Sequence, residues 1–169
     1  MIETISHNFE FYPKFQSEGF AAKFAIPYAM QVCKGMGYDI GCNRVEWSLP
    51  GSIPVDPLIT DFNAYELPFG EVDYIFSSHC LEHLPNWVEA LDYWHKKLRI
   101  GGVVFLYLPE FSQTYWRPWN NRKHIHCLTP SIVEAYFEDQ YTMWKNIFVS
   151  GVDLNNSFMI MAEKCELDY

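Results

Sequence analysis

Several features that define other protein classes are missing from this 169-residue sequence. No apolar run approaches the eighteen or so residues that a membrane-spanning helix needs, and the first residues do not resemble a secretory signal. The sequence has 12 lysines and arginines against 21 aspartates and glutamates, which gives a net charge of −9. Because nucleic acids and anionic membranes bind basic surfaces, we expect neither a general nucleic-acid surface nor a membrane-binding surface. The phosphate-binding GxGxxG fingerprint and the Walker lysine are also absent.

The cysteines are few, odd in number and without a CxxC pair, a pattern that favours reduced thiols and a cytoplasmic location over a disulfide framework. They are Cys33, Cys42, Cys80, Cys127 and Cys165. The composition, by contrast, is 49% hydrophobic and 18% aromatic. This length and composition predict one globular domain with a single large core.

Residues 73–109 carry the clearest secondary-structure pattern. An apolar strand over 72–77 leads through a polar turn into an amphipathic helix whose apolar face runs from 84 to 98, with Pro85 in its first turn. Gly101 and Gly102 are expected to end this helix before a second buried strand over 103–108. The pattern predicts a βαβ unit, and ligands collect at the carboxyl end of its first strand.

The other segments predict further alternation of strands and helices within one domain. We expect an N-terminal arm and a helix over 1–34, with a kink or restart at Pro27, and a core over 35–108 that includes strands at 38–42 and 52–56. Residues 109–128 form an aperiodic loop. A helix opening at Thr129 and strands over 143–149 and 157–162 complete the region 129–169.

A glycine turn follows the first core strand, with the sequence Asp39-Ile-Gly41-Cys-Asn43. Asp56 ends the next strand, seventeen residues after Asp39. A carboxylate roughly twenty residues past such a turn binds a ribose in dinucleotide folds. Because the phosphate-binding fingerprint is missing, this spacing indicates a nucleoside ligand without phosphates.

The turn after the strand at 72–77 contains His79, Glu82 and His83 in an H-x-x-E-H pattern, which is also the inverted zincin signature. On a continuous helix the two histidines could share a zinc ion with Glu82 as base, giving a zinc-dependent hydrolase. The pattern spans a strand-to-helix turn, however. The alternative is that Glu82 and His83 only hold the start of the helix.

The loop at 109–128 is rich in aromatic and basic residues. It is either a solvated basic loop or an aromatic-walled lid that recognises an anionic acceptor. Its candidate acceptor-binding residues are Tyr115, Trp116, Arg117, Trp119 and Arg122.

Five blocks of the sequence resemble, in order, the class I S-adenosylmethionine (SAM)-dependent methyltransferases, and the small type 11 group most of all. The blocks are GYDIGC at 37–42, PGSIPVD at 50–56, DFNAYELPF at 61–69, DYIFSSHCLEHL at 73–84 and KLRIGG at 97–102. The resemblance covers about residues 37 to 131. It implies a single α/β Rossmann-like domain whose mostly parallel sheet has an antiparallel last strand and helices on both faces.

The resemblance also implies SAM as the cofactor and a small-molecule acceptor, an activity of the EC 2.1.1 type. Asp39 and Gly41 would line the methionine half of the cofactor, and Asp56 would hold the ribose. The remaining positions that it assigns are Asp61 and Phe62 at the adenine, Ser78 and His79 beside the sulfonium, and 124–130 at the acceptor pocket. If the acceptor is a hydroxyl, His79 and His126, then His124, are the candidate bases.

The glycine turn departs from the family pattern, because Asn43 and Arg44 stand where the family continues with glycine. Either Asn43 adopts the left-handed conformation that asparagine tolerates, or cofactor binding is weak or lost. Arg44 could compensate by pairing with the cofactor's carboxylate. Loss of binding or turnover would leave a methyltransferase-like binding or regulatory domain.

Overall fold

The computed structural model describes residues 3–165. Its elements, in chain order, are β1 (Thr4–His7), β2 (Glu10–Pro13), α1 (Lys14–Ser17), α2 (Ala22–Val32), β3 (Gly37–Ile40), β4 (Ile53–Val55), β5 (Val72–Ser78), α3 (Trp87–Lys97), β6 (Leu98–Pro109), α4 (Pro130–Asp139), β7 (Trp144–Val149) and β8 (Ser157–Lys164). Short 3-10 turns lie at Val45–Trp47, Leu81–His83 and Thr114–Trp116.

Six strands form the central sheet in the order β4-β3-β5-β6-β8-β7. Strands β4, β3, β5 and β6 pair in parallel, whereas β8 is antiparallel to both of its neighbours. The last strand therefore runs against the other five. This arrangement confirms the predicted α/β fold with an antiparallel last strand.

Helices cover both faces of the sheet. Helices α3 and α4 pack on one face through Leu91, Trp94 and Phe137, and α2 packs on the other through Ala25 and Ala29. Strand β6 is apolar on both sides and alternates between the two cores, as expected of a strand buried between helices. Within residues 3–165, no helix is long and apolar enough to span a membrane.

Helix α3 begins later and ends earlier than the sequence predicts. It begins at Trp87, because Pro85 keeps Leu84 extended and the side chain of Asn86 caps the helix by accepting the Glu89 N–H at 3.2 Å. It ends at Lys97, and Gly101 and Gly102 lie inside β6. The prediction that the two glycines end the helix was wrong, since Leu98 already pairs with Val72 of β5.

The predicted N-terminal arm contains a β-hairpin, and the helix expected from residue 14 is interrupted. Strands β1 and β2 pair through a two-residue turn, Asn8-Phe9, in which both residues have positive φ, as in type I′ hairpins. Gly19, at φ 96°, then separates α1 from α2. Pro27 lies inside α2 without ending it. In α4 the prediction holds, with Thr129 as the N-cap.

The hairpin is joined to the loop between β6 and α4, called loop 110–129 below. The hydroxyl of Tyr12 accepts the backbone N–H of Tyr115 at 2.9 Å and donates to Glu10 Oε2 at 2.9 Å. Thr114 also donates to Glu10. The rings of Tyr12 and Tyr115 lie 4.9 Å apart. Because of these contacts, the N-terminal residues hold this loop over the sheet.

Candidate active site

A cavity of about 940 Å³ lies at the carboxyl ends of β3, β4 and β5. Strands β4 and β5 lie on opposite sides of β3, so this is the point where the strand order reverses and where open α/β sheets bind ligands. The lining residues come from six segments. They are Gln16–Gly19 with Ala21; Ile40, Gly41 and Asn43; Val55–Pro57; Asn63–Tyr65; His79, Cys80, His83 and Leu84; and Tyr115, Trp116, Asn121, Lys123 and His124.

The glycine turn forms one wall of this cavity. Gly41 has a φ of 83°, and a Cβ atom there would lie 2.6 Å from the sulfur of Cys80, so both conformation and space require glycine. Asn43 has a φ of 62°, which is the left-handed conformation that asparagine accommodates. The backbone of the turn therefore follows a glycine-like path despite the asparagine.

Asp56 fixes this turn and lies at its rim. Its Oδ2 accepts the N–H of Asn43 at 2.9 Å, and its Oδ1 accepts the N–H of Leu58 at 2.9 Å. A carboxylate offers about four lone-pair sites, so each oxygen retains one for a ligand hydroxyl. The position at the end of β4 thus suits a ribose.

Two residues predicted to bind the cofactor lie outside the cavity lining. Asp39 is 1% exposed and its Oδ2 accepts the Leu49 N–H at 2.6 Å; burial raises the pKa of Asp39 to about 7. The guanidinium of Arg44 lies 4.5 Å from the ring centre of Trp47 and 3.9 Å from Glu46. In this arrangement Asp39 holds the backbone at Leu49, and Arg44 packs on the ring of Trp47.

Three of the four residues predicted beside the adenine and the sulfonium, Asp61, Phe62 and Ser78, are also outside the lining. Asp61 and Phe62 are exposed, and the following segment Asn63–Tyr65 lines the cavity in their place. Ser78 is buried next to His79, and its hydroxyl has no hydrogen-bond partner among the residues described. These three assignments from family resemblance stay predictions.

His79 lies at the centre of the cavity wall. Its Nε2 is 2.9 Å from the Ser157 hydroxyl, and its backbone has a positive φ of 49°. The ring also packs edge-to-face on Trp116, with centroids 5.6 Å apart. Burial lowers the pKa of His79 well below its ordinary value, which keeps the ring neutral at physiological pH.

Three histidines surround the carboxylate of Glu82. Its Oε1 lies 3.5 Å from His83 Nε2, 3.9 Å from His124 Nε2 and 3.9 Å from His79 Nδ1. Glu82 is 0% exposed, and neither carboxylate oxygen has a hydrogen-bond partner in the described chain. Burial raises the pKa of Glu82 to about 7 and lowers that of His124 to about 3.

The zinc hypothesis from the sequence requires His79, Glu82 and His83 to lie on one continuous helix. The structure instead has a short 3-10 turn at Leu81–His83. The H-x-x-E-H residues do not share a continuous helix, so His79 and His83 are not successive residues on one helical face. His83, which the sequence allows as a purely structural residue, lines the cavity.

Loop 110–129 contributes only part of its predicted acceptor set to the cavity. Tyr115 and Trp116 line it, and the Trp116 ring stacks on His124 with centroids 5.0 Å apart. Arg117 instead donates to backbone carbonyls of its own loop. Trp119 and Arg122 are exposed and outside the lining, and the basic residue that does reach the cavity is Lys123.

His126, predicted as a candidate base, also lies away from the cavity. Its Nε2 donates to the Leu84 carbonyl at 2.8 Å, since a carbonyl oxygen only accepts. His124, the lower-ranked candidate in the sequence, is buried at the cavity wall. The geometry therefore favours His79 and His124 over His126.

The sequence analysis did not assign Gln16–Gly19, Asn63–Tyr65, Asn121 or Lys123 to the site, although all of them line the cavity. The turn at Gln16–Gly19 reaches the site only through long-range packing: a Cβ on Gly19 would lie 2.9 Å from the Asn43 side chain. Its one sequence signal is the glycine that interrupts a helical pattern. The spacing of residues gave no indication that this turn meets the glycine turn.

Comparison with known proteins places these features in a family. A family model described as a methyltransferase domain matches residues 20–140. A SAM-dependent methyltransferase from Archaeoglobus fulgidus aligns with a TM-score of 0.64 and 19% identity, covering 90% of this chain and 100% of that chain. No curated protein matches the sequence.

Two further solved structures share the fold. A SAM-dependent methyltransferase from Thermotoga maritima, described as a possible histamine N-methyltransferase, has a TM-score of 0.67 and 14% identity, over 89% of this chain and 94% of that one. Phosphoethanolamine N-methyltransferase 2 from Haemonchus contortus, in complex with SAM, has a TM-score of 0.61 and 13% identity, over 85% of this chain and 53% of that one. The family match spans well over half of the sequence, and the chain therefore belongs to the methyltransferase-domain family, with the fold of the class I SAM-dependent methyltransferases.

Proposed function

We propose that this protein is an active enzyme that transfers the methyl group of SAM to a small acceptor held under loop 110–129. The observation that carries the proposal is the continuity of one cavity from the glycine turn and Asp56 to the histidines and Trp116. Its volume of about 940 Å³ lies at the upper end of the range of about 300–1,000 Å³ that ligand pockets occupy. We infer that the cofactor and a small acceptor share this cavity.

The residues at the sheet end of the cavity fit the cofactor. Asp56 offers free lone pairs at the rim, Gly41 allows close approach of a ligand to the backbone, and Asn43 keeps the glycine-like conformation. Asn63–Tyr65 would contact the base. We infer that the cofactor lies along this wall, with its methyl end toward His79.

The opposite end of the cavity fits an acceptor with an aromatic or anionic part. Tyr115 and Trp116 form an apolar wall, and Lys123 places a positive charge at the rim. We infer a small acceptor bearing a carboxylate or phosphate, with Lys123 in the role that the sequence gave to Arg117 and Arg122. Of the sequence-predicted acceptor residues, Tyr115 and Trp116 stay in this proposal.

Methyl transfer requires mainly that the acceptor atom, the methyl group and the sulfur of SAM lie in line. Bound SAM supplies a methyl group already activated by the positive sulfur. The chain's own residues hold the acceptor in line and exclude water, which is catalysis by proximity and orientation. A hydroxyl acceptor needs a base, for which His79 and His124 are the candidates, whereas an amine or carboxylate acceptor needs none.

We also propose a role for each segment of the domain and a cellular compartment for the protein. Residues 35–108 would serve as the cofactor-binding core of a single domain, with 109–128 as the lid over the acceptor. The cysteines are unpaired in the part of the chain that the structure describes, which favours a reducing compartment such as the cytoplasm.

Calorimetric titration with SAM, followed by turnover assays on a panel of small anionic acceptors, tests the proposal. Asp56→Ala should weaken SAM binding by roughly 10- to 100-fold, because it removes charge-assisted hydrogen bonds worth about 1.5–3 kcal/mol. Asp139→Ala, on the exposed end of α4, is the matched control and should bind like the parent.

Two outcomes would contradict the proposal. Unchanged SAM affinity in Asp56→Ala would remove the ribose assignment. Tight SAM binding without S-adenosylhomocysteine release on any acceptor would indicate a binding domain and not an enzyme. Thermal unfolding of each variant separates loss of affinity from loss of the fold.

A further inference from the structure

The carboxylate of Glu82 is buried without a hydrogen-bond partner in the part of the chain that the structure describes. It is 0% exposed, and within residues 3–165 neither of its oxygens accepts a hydrogen bond. The chargeable groups within 4.0 Å of it are the three histidines, with no lysine or arginine among the described residues. In its ionised form, a carboxylate buried in such surroundings requires a positive partner.

The distances around Glu82 fit metal coordination better than hydrogen bonding. Charge-assisted hydrogen bonds between nitrogen and carboxylate oxygen are about 2.7–2.9 Å long, whereas Glu82 Oε1 lies 3.5 Å from His83 Nε2 and 3.9 Å from His124 Nε2. Ligands held about 2.0–2.2 Å from one tetrahedral ion lie about 3.3–3.5 Å apart. The three ligand atoms lie within 4.8 Å of one another, so a contraction of the cluster would bring them around a single ion.

The hydrogen bonding of His83 sets its ring for metal binding. Its Nδ1 lies 2.6 Å from the Lys123 carbonyl and must donate to it, since a carbonyl only accepts. The neutral ring then directs the lone pair of Nε2 toward Glu82. A metal-binding histidine characteristically donates its second N–H to a carbonyl or carboxylate in this way.

The backbone also holds the two parts of the cluster together. The carbonyl of Glu82 accepts the N–H of Ile125 at 2.8 Å and that of His126 at 3.2 Å. His124 is further fixed by its stacking on Trp116. The cluster is therefore arranged in advance, although its members come from segments about forty residues apart in the sequence.

We propose that Glu82, His83 and His124 bind one divalent first-row transition-metal ion. Their ligand atoms lie within 4.8 Å of one another, and two imidazoles with one carboxylate suit ions such as Zn²⁺, Fe²⁺ and Co²⁺. Mg²⁺ and Ca²⁺ prefer oxygen ligands throughout and should bind poorly. In contrast to the zincin hypothesis, Glu82 is a ligand here, and the second histidine comes from loop 110–129.

The site would leave one coordination position toward the cavity, because His83 and His124 line the cavity while Glu82 lies behind them. Three protein ligands with an open position are typical of metal sites that bind a substrate. Resting on the proposed function, this position would bind an oxygen atom of the acceptor and orient it beside His79. The ion would thus recognise hydroxyl or carboxylate groups.

Zinc titration by calorimetry on the chelator-treated full chain tests the site. We expect one Zn²⁺ per chain and no comparable heat from Mg²⁺. His83→Ala and His124→Ala should each weaken Zn²⁺ binding by more than the roughly 10- to 100-fold that loss of an outer-shell partner costs. His126→Ala removes an imidazole two residues from His124 and should bind Zn²⁺ like the parent.

Absence of Zn²⁺ binding to the parent, or equal binding in all three variants, would overturn the metal site. If a variant does not fold, X-ray absorption of the Zn²⁺-loaded parent decides: two imidazoles in a nitrogen and oxygen shell support the site, whereas sulfur in the shell overturns it. SAM titration of the same samples keeps the two proposals apart. Zn²⁺ binding without SAM binding would contradict only the proposed function, and the reverse result would contradict only the metal site.

Discussion

Asp39→Asn should stabilise the protein at neutral and alkaline pH. Asp39 is 1% exposed, and burial raises the pKa of its carboxyl from 3.8 to about 7. Between these two values the folded state holds a proton that the unfolded state has released, so the free energy of unfolding falls as the pH rises through this window. The difference of about 3 pK units corresponds to about 4 kcal/mol lost by pH 8.

Asparagine is close in shape and stays neutral at every pH, while its side-chain oxygen still accepts the Leu49 N–H. The variant should match the parent near pH 4 and exceed it at pH 8 by up to about 4 kcal/mol. Urea unfolding at several pH values measures this difference. Asp139→Asn, an exposed carboxylate, serves as control.

Parallel pH profiles for the parent and Asp39→Asn would refute the reasoning. They would mean that Asp39 is ionised at little cost in the folded protein, and that the hydrogen bond from Leu49 outweighs its burial. A drop in the stability of Asp39→Asn at every pH would refute it as well, since the neutral side chain would then fit the site poorly.

The remaining predictions concern the two ends of the cavity. Gly41→Ala should lower the free energy of unfolding by about 2–4 kcal/mol, from left-handed backbone strain and contact with Cys80. Gly51→Ala shares the positive φ without the contact and should lose only about 1–2 kcal/mol, so equal losses in thermal melts would contradict the packing argument. Lys123→Ala should raise KM for an anionic acceptor roughly two- to fivefold at unchanged SAM affinity. A weakened SAM titration would instead assign Lys123 to the cofactor side.

The sequence predicts the core of this fold well because apolar patterns report burial directly. The strands at β5 and β6 and the helix between them follow from runs of apolar residues that have no other favourable location. The ends of these elements are decided by competing local effects. At α3, the restriction that Pro85 places on Leu84 outweighs the apolar periodicity, and Asn86 becomes the cap.

The end of α3 and the directions of the loop histidines depend on long-range contacts, which the sequence does not show. Gly101 and Gly102 predict a helix end, but pairing of Leu98 with β5 had already ended the helix. In loop 110–129, nothing in the spacing distinguishes His124, which lies at the cavity wall, from His126, which bonds to Leu84. Irregular backbone has no period from which the direction of a side chain can be read.

In the candidate site too, the residues that local spacing determines could be predicted, whereas those that long-range packing brings in could not. Gly41 and Asp56, which line the cavity, could be predicted as site residues because a ligand beside a strand end constrains residue type at fixed spacing. The residues that meet them from Gln16–Gly19 carry no such constraint. Their place in the cavity depends on how α1 and the hairpin pack, which involves the whole chain.

The Tyr115 N–H donates to the Tyr12 hydroxyl and Thr114 donates to Glu10, so the β1–β2 hairpin supports the proposed acceptor wall. Changes in the hairpin can therefore alter the choice of acceptor while leaving Gly41 and Asp56 untouched. In such an arrangement, substrate preference can diverge between relatives through the N-terminus alone.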